Sequence, residues 1–227
     1  MSRQAEAEPA ITAALGRQGM AQYGLTLVLG CPLPAVLSGP IAALQEACEA
    51  AAPGLVRFGD PAAYHLTVYG LKRSRPQPFA RAELAPLLEA LGCVLHSELG
   101  ATASLAVPLR GLELTDEGTA ILRGAEVETL SRLRAAICRL PGVDPPKGDG
   151  NHVALGRLAR PLAPAEGQRA ARLLAPLRSR PAGTLVVREL KLVTYRSRLL
   201  DDVVSQETIM LPVAPGDWLP GQPIVPG

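Results

Sequence analysis

Two octapeptides decide how this chain is interpreted: YHLTVYGL at residues 64–71 and NHVALGRL at residues 151–158. Each places a histidine second, behind a polar residue, and continues as a short run typical of a β-strand. Side chains alternate between the faces of a strand, so His65 shares a face with Thr67, and His152 shares one with Ala154. Only three histidines occur in the 227 residues, and two of them occupy the same position in these two similar segments.

The segments around the octapeptides repeat one order of predicted elements: strand, helix, histidine strand and a further helix. Predicted strands cover 23–30, 64–71, two runs within 103–124, 151–158, 183–199 and 206–213. Predicted helices begin and end near 39–54, 80–91, 126–140 and 163–179. This order predicts a mixed α+β domain of two similar lobes over residues 22–213. It follows a leader (1–21) and precedes a tail rich in proline and glycine (214–227).

Composition restricts the partners. With 48% hydrophobic and 19% charged residues, the chain is typical of a globular protein. Its net charge of +2 argues against a surface for long nucleic acid, but allows a small anionic ligand held by a few cations. Because no signal peptide or apolar run of about 20 residues occurs, we expect a cytoplasmic protein without membrane contact. We expect it to be a monomer.

The four cysteines are dispersed, without a C-x-x-C pair or a histidine at the spacing of metal ligands. Cys31, Cys48, Cys93 and Cys138 are therefore predicted to be small buried side chains in a reducing compartment, and no cofactor is expected. A metal site of His65, His152 and Asp149 is a minor alternative.

If the two histidine strands occupy equivalent places in the two lobes, their histidines can face one bound group. Two imidazoles could then act as acid and base, since their ordinary pKa is near neutrality. Thr67 would donate a hydroxyl hydrogen bond to an oxyanion, and Arg157 would offer a planar cation suited to phosphate. Tyr69 and Tyr195 are candidates for stacking on a base, although packing roles are equally open to them.

Two H-x-T-like motifs on well-separated strands resemble those of the 2H phosphoesterase superfamily. This superfamily includes 2′-5′ RNA ligase-like proteins and 2′,3′-cyclic nucleotide phosphodiesterases. His65-Leu66-Thr67-Val68 matches the motif in full, and Arg157 matches the arginine of the H-x-T-x-x-R form. The second copy has Ala154 where the superfamily has threonine or serine. The resemblance implies a bilobal fold with two antiparallel sheets, flanked by helices, around a central cleft.

The resemblance further implies a metal-independent enzyme that opens a 2′,3′-cyclic phosphate or processes a 2′-5′ linked nucleotide or RNA end. His152 would be the base and His65 the acid. Ala154 lacks one hydroxyl donor, and Tyr195 and Ser197 are candidate replacements. Two alternatives remain open: a module that binds a nucleotide or RNA end without turnover because of Ala154, and a metal hydrolase.

Overall fold

The computed structural model describes residues 23–146, 150–196, 200 and 202–213. The predicted leader and tail, together with Ser197 and Asp149, lie outside the described residues. The strands are β1 (Tyr23–Leu29), β2 (Val56–Phe58), β3 (Leu66–Arg75), β4 (Leu105–Leu114), β5 (Thr119–Gly124), β6 (Asn151–Leu158), β7 (Pro181–Val187), β8 (Glu189–Tyr195) and β9 (Val203–Met210). The α-helices are α1 (Ser38–Ala51), α2 (Arg81–Leu99), α3 (Glu128–Cys138) and α4 (Pro164–Leu174).

The nine strands of the described residues form one antiparallel sheet, in the order β7-β4-β5-β6-β3-β1-β8-β9, with β2 paired to β6. We call β3-β1-β8-β9 the first half-sheet and β6-β5-β4-β7 the second half-sheet. Among the described residues, the two half-sheets are joined between β3 and β6 at a single residue pair, Leu66 opposite Val153. The predicted α+β fold with two similar lobes is confirmed, but its two sheets are halves of one continuous sheet.

One large apolar core lies between the sheet and the four helices. Its residues from β1 alternate (Leu25, Leu27 and Leu29), and every one of the helices contributes buried side chains to it. The periodic leucines that predicted α3 behave as expected: Leu130 and Leu133 are fully buried. A smaller cluster on the other face of the first half-sheet includes Val28 and Val193, and leaves that face more open.

Two predicted boundaries are wrong. Helix α2 continues through Gly92 to Leu99, because Leu91, Leu95 and Leu99 follow one buried face and outweigh the low helix propensity of one glycine. The long predicted strand at 183–199 divides at Arg188 into β7 and β8, which pair with β4 and β1 in different half-sheets. In the described residues, no helix is both long enough and apolar enough to cross a membrane.

Candidate active site

The two histidines stand beside the pair that joins the half-sheets. His65 directly precedes Leu66, and His152 directly precedes Val153. Continuing this antiparallel register places Thr67 opposite His152 and His65 opposite Ala154, all on one face. The histidines are thus diagonal neighbours on that face. In a regular antiparallel ladder, diagonal neighbours lie about 7–8 Å apart.

His65 is partly buried, and its ring orientation is fixed by the backbone. Its Nδ1 lies 2.7 Å from the Ala63 carbonyl oxygen, so Nδ1 carries the proton and Nε2 is left for a ligand. Burial lowers the pKa of His65, the hydrogen bond to Ala63 opposes this, and the charge of His152 lowers it further.

His152 is open to solvent on a cleft of about 760 Å³ at the join. Its pKa is lowered first by desolvation between the cleft walls and then by the positive charges of Arg123 and Arg134. Arg123 is directly opposite His152 in the β5–β6 register. Cations on two sides therefore favour the neutral, proton-accepting imidazole.

The cleft is formed where β3 and β6 separate beyond their single pair. Its walls come from β3, the end of β5, helix α3 and the start of β6. The lining residues that carry polar side chains include Thr67, Tyr69, Arg123, Glu126, Ser131, Arg134, Asn151 and His152. Of the predicted site residues, Thr67, Tyr69 and His152 line this cleft, whereas His65, Ala154, Arg157 and Tyr195 are not among its lining residues.

Arg157 reaches the histidine face through an irregularity in β6. Five residues after His152, strict alternation would place it on the opposite face. In the β5–β6 register, however, Ile121 is opposite Ala154 and Ala120 is opposite Gly156. One extra residue, Leu155, therefore lies in β6. Arg157 is thereby opposite Thr119, on the face of Ala154. Within the described residues its Nε is buried and has no hydrogen-bond partner.

The two tyrosines differ in position. Tyr69 is buried on the cleft wall and its hydroxyl donates to the Asp144 carbonyl (3.2 Å). Burial, with Cys138 and Asp144 nearby, raises the pKa of Tyr69 to about 12. Tyr195 packs over Gly24 at the far end of β8, with the small cluster that contains Val193. Neither arrangement tests their predicted roles in binding a base.

The fold now permits comparison with solved structures. E. coli LigT complexed with 3′-AMP aligns with 82% of this chain and 98% of its own, at 13% identity and a TM-score of 0.53. Kluyveromyces marxianus Usb1 with uridine monophosphate aligns with 84% and 99%, at 17% identity and a TM-score of 0.53. Both are 2H phosphoesterases. This chain has the 2H phosphoesterase fold. No protein-family model matches the sequence, and no curated protein matches it.

The resemblance expected from the motifs is thus confirmed for the 2H fold. Sequence reasoning did not find Arg123, Arg134 or Asn151. Arg134 and Arg123 were two among many arginines, and only the pairing of strands brings them to His152. Asn151 did have a signal, because it is the polar residue that opens the second octapeptide.

Two further predictions concern cysteines and metals. Cys31 and Cys48 are buried as predicted, but Cys93 in α2 and Cys138 at the end of α3 are exposed, and Cys138 lines the cleft. Across the described ranges, no three histidine, cysteine, aspartate or glutamate side chains are placed to share a metal ion. The alternative metal site included Asp149, which is not described.

Proposed function

We propose that this protein is a metal-independent phosphoesterase that opens a 2′,3′-cyclic phosphate or processes a 2′-5′ linked nucleotide or RNA end. In the first reaction a water molecule attacks phosphorus in line with one ribose oxygen. The water loses a proton, the P–O bond to that oxygen breaks, and the oxygen gains a proton. The product is a nucleoside or RNA 2′- or 3′-monophosphate.

The observation that carries this proposal is the position of His65 and His152 on either side of the pair that joins the half-sheets. On one face of the sheet, the two imidazoles could contact a single phosphate placed between them. The pKa of each imidazole is lowered from its ordinary value, so the two exchange protons most readily in mildly acidic solution.

The local contacts favour His152 as the base and His65 as the acid. The charges of Arg123 and Arg134 stabilise neutral His152, which can accept a proton from water. Burial, the largest effect, lowers the pKa of His65, but the hydrogen bond from Nδ1 to the Ala63 carbonyl opposes this by stabilising the imidazolium, whose Nε2 can then donate to the leaving oxygen.

Charge on the phosphate oxygens would be balanced from several directions. Thr67 with its hydroxyl and the two cations Arg123 and Arg134 line the same cleft as His152. The buried Nε of Arg157, which has no hydrogen-bond partner among the described residues, is a donor that a bound anion or water would satisfy. A ligand of nucleotide size is consistent with the 3′-AMP and uridine monophosphate held by the compared proteins.

The test is hydrolysis of the four 2′,3′-cyclic nucleotides and of a short RNA with a 2′,3′-cyclic end, with detection of the new monophosphate. His65→Ala and His152→Ala should each lower kcat by about 10²–10⁴, the usual contribution of a positioned acid or base. His96→Ala is the matched control, because this third histidine sits on α2 with its Nδ1 against the Val213 carbonyl. Equal activity in all three variants would refute the proposal.

A second candidate function is binding without turnover, and Ala154 is the observation that favours it. The methyl group stands where the superfamily has a hydroxyl, and loss of one such donor typically reduces the rate by about 10²–10³. Calorimetric binding of a 2′-nucleotide together with no hydrolysis would support this module. Activity that disappears with a chelator would instead support a metal hydrolase.

A further inference from the structure

Arg134 occupies the place where the ladder between the half-sheets stops. Among the residues that the structure describes, β3 and β6 pair only at Leu66 and Val153, so the β3 carbonyl groups that follow have no partner in β6. Arg134 Nε donates to the Val68 carbonyl (2.9 Å), and Nη2 donates to the Thr67 carbonyl (3.3 Å). The guanidinium of an α3 residue thus replaces sheet hydrogen bonds.

The same guanidinium also holds β6. Nη2 of Arg134 donates to Asn151 Oδ1 (2.6 Å), and Asn151 Nδ2 donates to the Ala125 carbonyl (2.5 Å). Asn151 is only 3% exposed, so this contact is largely shielded from water. Arg134 therefore touches both histidine strands, next to Thr67 on one side and His152 on the other.

Three contacts leave part of the guanidinium unused. An arginine has five N–H donors, of which two are on Nη1. Within the part of the chain that is described, Nη1 of Arg134 has no hydrogen-bond partner. This atom is not fully buried. Since Arg134 lines the cleft, Nη1 is the edge of the guanidinium that is left to contact a ligand there.

We propose that Arg134 is a phosphate-binding residue, fixed by its bonds to β3 and Asn151 so that Nη1 presents two donors to a phosphate beside His152. This inference rests on the proposed function for the identity of the anion. It supplies a charged donor pair near a site that Ala154 has deprived of one hydroxyl. Because the orientation is set before a ligand arrives, little side-chain entropy is lost on binding.

The experiment uses the full chain and inorganic phosphate, so it does not depend on turnover. Nitrogen-15 NMR of the arginine side chains should show Arg134 shifting as phosphate is added to the wild-type protein. Isothermal calorimetry should show that Arg134→Gln weakens phosphate binding by about 10- to 100-fold, the usual effect of losing a hydrogen bond to a charged group. Arg134→Lys should retain part of the affinity, since the charge remains without the fork.

Arg132 is the matched control on the same helix. It is more than half exposed and pairs with Glu98 and Glu128, so Arg132→Gln should leave phosphate binding unchanged. If the Arg134 signal does not move on titration of the wild-type protein, or if folded Arg134→Gln binds phosphate normally, the proposal is overturned. Should Arg134→Gln not fold, the wild-type titration and Arg134→Lys still decide.

The two proposals fail separately. Absence of hydrolysis with every cyclic phosphate would refute the enzyme while a phosphate-dependent shift of Arg134 still supported the binding residue. Conversely, hydrolysis that requires both histidines but is indifferent to Arg134→Gln would support the enzyme and refute this inference.

Discussion

Replacing Asn151 with alanine should destabilise the protein more than removing the buried hydrogen bond of Thr26. The Asn151 side chain is buried and makes two short contacts, one from the Arg134 guanidinium (2.6 Å) and one to the Ala125 carbonyl (2.5 Å). Asn151→Ala removes both. It leaves a cationic donor and a backbone acceptor without their partners at the join of the half-sheets.

The magnitude follows from the two contacts. A hydrogen bond to a charged group contributes about 1.5–3 kcal/mol and a neutral one about 0.5–1.5 kcal/mol. Because Arg134 can recover water from the open cleft, we expect a loss of about 2–4 kcal/mol in the free energy of unfolding. Thr26→Val is the comparison, since the buried Thr26 hydroxyl makes one neutral contact with the Tyr69 carbonyl (3.2 Å). Its removal should cost about 1 kcal/mol.

Urea unfolding at neutral pH measures both variants, with the slope of the transition checked for two-state behaviour. A double-mutant cycle of Asn151→Ala with Arg134→Gln should show a coupling free energy of about 1 kcal/mol or more, because the two side chains share a contact. If Asn151→Ala loses no more than Thr26→Val, or if the two changes are additive, the bridge through Arg134 does not hold the half-sheets together.

Three further outcomes are expected. Burial lowers the pKa of both His65 and His152 below 6.5, and one of the two must be protonated for catalysis. We therefore expect kcat/KM for a cyclic phosphate to peak on the acidic side of neutrality, and an alkaline maximum would contradict this. Ala154→Thr should raise kcat about tenfold, which is less than the usual contribution of one hydrogen-bond donor to an oxyanion. An unchanged kcat would show that another group already donates this hydrogen bond. Gly156→Ala should lower stability by about 1–3 kcal/mol in the same urea assay, because a Cβ would overlap the backbone of β2; Gly70→Ala, with free space around it, should not.

The fold was predictable wherever a local pattern coincided with burial. Leu130 and Leu133 recur at helical spacing, and both are fully buried in α3. The division at Arg188 was not predictable, because β7 and β8 have similar strand composition. Their separation depends on partners far away in the sequence, β4 for one and β1 for the other. Local propensity carries no information about which distant strand a segment will pair with.

The residues of the candidate site also fall into those that the sequence indicates and those that only the assembled fold brings together. His65 and His152 were detectable because histidine is rare in this chain and the surrounding residues are repeated. Arg134 was not, since its role arises from a gap in the β3–β6 ladder that only the assembled sheet contains. The extra residue in β6 is equally invisible in the sequence, yet it decides that Arg157 faces the histidines.

The polar residue before each histidine explains why the two octapeptides look alike. Tyr64 precedes His65, and its hydroxyl donates to the Leu155 carbonyl of β6 (3.0 Å), across the join. Asn151 precedes His152 and is tied through Arg134 to the carbonyls of β3, across the join in the opposite direction. Alternation turns these two side chains inward while the histidines turn towards the ligand face. In the described residues the half-sheets share a single backbone pair, so these reciprocal side-chain bridges help to fix the relative position of the two imidazoles, on which any acid–base chemistry at this site depends.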